Sequence, residues 1–129
     1  MSQDRNQLAA EYYAVKGRPI EYLTENEFSI IRLSGLDATH VTAGQYDFLV
    51  RDPHGYELEI NVEIDPSIVW EVTRRSKGRV LRQSAYWLCC AERHLATYLW
   101  ENEDYPPDAR LKVDQLTLED LDHARRWEN

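Results

Sequence analysis

Three polar residues in the stretch YDFLVRDPHGYELEIN (46–61) have types and spacing that could do chemistry: Asp47, Glu59 and Asn61. Carboxylates on neighbouring strands are the groups that hold a divalent cation. They are equally the groups expected on the wet face of a half-buried hairpin. The turn between them sets their relative placement. In Asp52-Pro53-His54-Gly55, proline presets φ, aspartate bonds back to the turn backbone, and glycine accepts the left-handed residue of a bulged loop. That turn pairs Asp52 with Tyr56, Leu49 with Glu59 and Asp47 with Asn61. The side-chain pattern agrees. Positions 46, 48, 50, 56, 58, 60, 62 and 64 are all apolar, whereas 47, 51, 57, 59, 61 and 63 are polar and Leu49 is the exception. Because strand side chains alternate, one face is core and the other polar.

A second cluster is cationic. Arg74, Arg75, Lys77, Arg79 and Arg82 fall within nine positions, as a solvated bend or as a contact for phosphate and nucleic acid. The chain's net charge of −8 opposes non-specific binding to nucleic acid or anionic membranes. Cys89 and Cys90 are adjacent within an apolar helical pattern, which fits neither a disulfide framework nor a CxxC site. Glu119 and His123 have the i,i+4 spacing of a shared metal, and of an ordinary charged helix face.

The elements that must position these groups can be read from the pattern. Residues 3–16 form an amphipathic helix stopped by Gly17 and Pro19. Residues 20–33 admit two readings. Thr24 and Glu27 could open a helix as a capping box, or TENE could turn between strands 20–23 and 27–33; the β-favouring cluster Phe28, Ile30, Ile31 and Leu33 favours strand. Asp65-Pro66 opens a short helix to about Val72, and a long helix spans 79–101 with a stripe through Leu81, Ala85, Leu88, Ala91, Leu95, Tyr98 and Leu99, widened by Trp87, Cys90 and Trp100. A strand over 110–115 and a helix capped by Thr117 complete the chain. The expected fold is α+β: a small, mostly antiparallel sheet built on the central hairpin, packed against the long helix with shorter helices flanking it.

At 129 residues and 43% hydrophobic content, the chain is expected to form a single domain over 1–129. No apolar run is long enough to span a bilayer, and MSQDRNQLAAEYY lacks a signal-peptide pattern, so a cytoplasmic protein is expected.

The order helix, three strands, helix, strand resembles the PD-(D/E)xK nuclease superfamily, whose signature is an Asp on one hairpin strand and Glu-x-Lys on the next. Here GQYDF resembles the Gly-x-Pro-Asp-Phe form, with Tyr46 in place of proline, and YELEIN resembles the Glu-x-Lys strand, with Asn61 in place of lysine. The resemblance implies Asp47 and Glu59 as ligands of Mg²⁺, Glu11 on the first helix as a further acid, Gln83 near the site, and the 74–82 strip against a nucleic-acid backbone. Asn61 breaks the pattern. An amide hydrogen-bonds but brings no positive charge to the attacking water and the developing phosphorane, unless Arg51 on the same face substitutes. The expectation is a degenerate nuclease-like domain with hydrolysis lost; if active, it would be a Mg²⁺-dependent phosphodiesterase. The alternative is a non-enzymatic interaction or assembly domain, a homodimer or partner binder, with Trp100, Tyr105 and Trp127 as candidates for its surface.

Overall fold

A computed structural model describes residues 21–33 and 44–127; the helix expected at 3–16 and Glu11 lie outside them. The described strands are β1 (Glu21–Leu23), β2 (Ser29–Arg32), β3 (Gln45–Arg51), β4 (Glu57–Ile64) and β5 (Arg110–Val113). The helices are α1 (Pro66–Arg75), α2 (Ala85–Asn102) and α3 (Leu118–Arg125). The sheet order is β1-β2-β3-β4-β5. Its first three pairings are antiparallel, and β5 joins β4 in parallel. This is the α+β layout that the pattern implies.

Of residues 20–33, the described ones, 21–33, resolve as strand, turn, strand. Thr24 and Phe28 close the turn through their backbones (2.8 Å), and Thr24 Oγ1 accepts from the Phe28 amide (2.9 Å). The β3–β4 turn forms as its chemistry requires. Asp52 Oδ1 accepts from the amides of His54 and Tyr56, and Gly55 sits at φ +93°. Consequently Asp47 faces Asn61 and Leu49 faces Glu59.

One face of the hairpin is the core. Phe48, Val50, Ile60, Val62 and Ile64 are fully buried with Val69 and Val72 of α1, Leu95 and Leu99 of α2 and Ala124 of α3. Tyr56, at the turn, departs from the alternation and is exposed. The opposite face carries the polar positions and a small apolar patch, in which Leu49 packs with Ile31 and Leu33.

The long helix begins six residues later than its periodicity suggests. Lys77 and Gly78 adopt left-handed conformations (φ +54° and +81°) that stop the chain after α1. Val80 then plugs into the core, and the Trp87 indole nitrogen donates to the Leu81 carbonyl. Ser84, whose hydroxyl accepts from the Tyr86 amide, caps the helix at Ala85. Leu81, Ala85 and Trp100 are accordingly exposed, and the buried stripe runs through Tyr86, Trp87, Cys90, Ala91, Leu95 and Leu99. At the other helix end, Asn26 donates to the Leu99 carbonyl and Tyr105 donates to the Tyr56 carbonyl (2.6 Å). These bonds tie the helix exit to the sheet.

Gly44, immediately before β3, has φ +84°, and a Cβ there would meet the Ile64 carbonyl oxygen at 3.1 Å. Gly44→Ala is therefore expected to cost about 1–2 kcal/mol, read as a lowered urea midpoint. An unchanged midpoint would show that this corner relaxes freely.

Candidate functional site

The polar sheet face is built by register. Asp47 lies opposite Asn61, and the Asn61 side-chain amide donates to Asp47 Oδ1 at 2.9 Å. Both residues are half-buried. Glu59, exposed, lies two pairings nearer the turn, on the same face. It is thus the diagonal neighbour of Asp47, about 7–8 Å away between backbone positions and within reach of a long side chain. Beyond Asn61, the parallel pairing aligns Arg110 with Asn61 and Lys112 with Glu63. A hollow of about 550 Å³ opens there, lined by Gln45, Asn61, Glu63, Arg110, Leu111 and Lys112.

Arg51, the cation considered for the lysine role, contacts Glu57 at 3.5 Å. Glu57 is buried to 1% side-chain exposure, and its second oxygen has no hydrogen-bond partner. The Arg51 charge therefore neighbours a buried carboxylate at the turn end of the hairpin, two pairings away from the Leu49–Glu59 pair.

The basic strip divides. Arg74 and Arg75 both bond to Glu71, and Arg74 also stacks over the Trp70 ring at 5.3 Å. Arg79 donates to the carbonyls of Ala124 and Arg125, capping the end of α3. Arg82 lines a mostly apolar hollow of about 460 Å³ with Gly44, Pro66, Val69 and Trp70. Lys77 is exposed at the bend. Gln83 is exposed in the turn before α2, a correction to its expected place one turn inside the helix; Ser84 caps the helix after it. Of the aromatics considered for a partner surface, Tyr105 packs edge-on against Phe28 and Trp127 against Tyr86. Trp100 is half exposed, at 51%.

Sequence reasoning missed the polar centre between α2 and α3. Asp120 is 1% exposed. Its Oδ1 accepts from Arg93 (2.8 and 3.2 Å), and its Oδ2 accepts from the Thr117 amide (2.9 Å) and lies 2.6 Å from His94 Nε2. The Tyr86 hydroxyl donates to the Asp120 carbonyl. Burial pushes the Asp120 carboxyl up, but the bonds from His94, Thr117 and Arg93 outweigh it and hold the group well below the usual carboxylate range. The donor atoms of Cys90, His94 and Asp120 lie within 4.8 Å of one another, the residue types of a zinc site. Yet both Asp120 oxygens already accept hydrogen bonds, a guanidinium adjoins them, and burial followed by the Asp120 charge pushes the Cys90 thiol up to about 12. The centre is better built to lock helices than to seat a cation. Its signal in the sequence was a polar pair, Arg93 and His94, beside the stripe of an otherwise apolar helix.

No protein-family model, curated protein or solved structure matches this chain.

Removing the Asp120 carboxylate strands Arg93 and His94, so Asp120→Ala is expected to cost about 3 kcal/mol. Because the folded group titrates below its unfolded value of about 3.9, its contribution is complete above about pH 5 and is lost as pH falls toward 2. Urea melts across that window should show the wild type converging on the variant. A difference that stays constant with pH would refute the linkage.

Proposed function

We propose that the chain is a nuclease-like domain of the PD-(D/E)xK type that has lost hydrolysis and keeps a polar sheet face for binding. Asp47 and Glu59 hold a Mg²⁺ ion there. Glu11, outside the described residues, is the further acid that the resemblance implies. The succession of three antiparallel strands, helices and a parallel strand (β2-β3-β4, α1, α2, β5) supports this reading.

The observation that carries it is the 2.9 Å bond from the Asn61 amide to Asp47. At the position where the family pattern has lysine, a neutral donor orients the candidate ligand carboxylate. It supplies no charge to a developing phosphorane, so binding survives and turnover does not.

A second reading, a protein-interaction or assembly domain, is favoured by Tyr22 and Trp100, both about half exposed, which line one shallow hollow with Ala96 and Thr97.

Mg²⁺ or Mn²⁺ is expected to raise the melting temperature of the wild type, with stabilisation of about 2.7 kcal/mol at a hundredfold excess over Kd. Asp47→Ala should abolish the shift, and neither protein should cleave plasmid DNA. If metal leaves the wild type's melting unchanged while sedimentation shows mass rising with concentration, the assembly reading replaces this one.

A further inference from the structure

We infer that Arg110 and Lys112 of β5 form a phosphate-binding notch beside Asn61. This inference deepens the proposed function and rests on it. Most described arginines are committed internally: Arg32 to Glu92, Arg51 to Glu57, Arg74 and Arg75 to Glu71, Arg79 to helix carbonyls, Arg93 to Asp120, and Arg125 and Arg126 to Asp122. Arg110 and Lys112 are exposed, and among the described residues neither side chain makes a hydrogen bond or a close ion pair, although the Lys112 charge is near enough to the Asp65 carboxylate to help stabilise it.

Their placement is fixed by pairing rather than by side-chain freedom. Parallel register sets Arg110 beside Asn61 and Lys112 beside Glu63, and all four line the same hollow with Gln45. Side chains on one strand face two residues apart suit adjacent oxygens of one anion. A guanidinium can bind two of them at once, and an ammonium adds a point charge. Glu63 is the single carboxylate among the described lining residues, and it offsets part of this charge. A divalent cation held by Asp47 would restore it. Phosphate and Mg²⁺ binding are therefore coupled, each tightening the other by the same factor.

The notch takes a phosphate group, as free phosphate or as the backbone of a single strand. The test uses the full chain with a labelled oligothymidylate followed by anisotropy and with inorganic phosphate followed by calorimetry, each with and without Mg²⁺. Arg110→Gln with Lys112→Gln is expected to weaken binding at least about tenfold and, for the oligonucleotide, to lower the salt slope by roughly 0.7 per cation removed. Arg126→Gln, which removes a cation paired with Asp122 on α3, should leave both unchanged, and Mg²⁺-linked stabilisation should persist in the double variant. Phosphate binding by itself identifies the free anion; oligonucleotide binding without phosphate binding identifies the backbone. No binding of either by the wild type, or equal binding by the double variant, overturns the notch. The metal reading fails separately, by loss of the Mg²⁺-dependent melting shift.

Discussion

The pleat of β3 and β4 directs every side chain on which a function could rest. Phe48, Val50, Ile60, Val62 and Ile64 are fully buried, each worth about 1.5–3 kcal/mol of transfer from water. Slipping the hairpin by one residue would expose all of them and bury Asp47, Glu59 and Asn61 instead. The turn at Asp52 and Gly55 selects the same register by local hydrogen bonds. A polar outer face is thus a requirement of the fold and says nothing of chemistry by itself. The informative fact is which polar groups the register makes neighbours. Here an amide meets a carboxylate, and two cations from a third strand adjoin them.

Elsewhere, charged groups serve to orient elements. Arg32 on β2 makes a two-pronged contact with Glu92 on α2 (2.8 and 2.9 Å), fixing the helix to the sheet, and Asp120 locks α3 against α2. Buried pairs of this kind add little net stability but are costly to break. Their effect is to select one packing of helices whose apolar faces could otherwise slide. This use of arginine also explains why a strip that looks cationic in the sequence is less so in space. Glu71 neutralises two of its members and a helix end holds a third.

What was legible in the sequence was local. The turn, the two-residue alternation, the Asp65-Pro66 start and the Thr117 cap all act within a few residues, and each forms. The start of α2 was misplaced because the 79–84 segment satisfies the hydrophobic period while Val80 reaches the core from non-helical backbone. Tertiary packing overrode the pattern. The Thr117 cap was legible, and a capping box, which joins residues three apart, makes Asp120 its partner. Its partners Arg93 and His94 are 27 and 26 positions away, and no local rule joins them. Arg110 was equally out of reach: only the parallel crossover brings it beside Asn61.

On the proposed reading, that crossover bears on why binding and hydrolysis would part company. A lysine on β4 would share its strand face with Glu59 and reach the same metal and water. Arg110 approaches from the neighbouring strand, on the side of Asn61 away from Asp47. A cation so placed attracts a phosphate before and during any reaction alike, and uniform attraction lowers no barrier to the chemical step. Asn61, meanwhile, stands between the cation and the carboxylate, with its amide turned toward Asp47. Replacing it with lysine would bring charge to the expected place but remove the bond that orients Asp47, so a single substitution exchanges one requirement for another. On that reading, turnover would need both a cation on β4 and a second donor to hold Asp47.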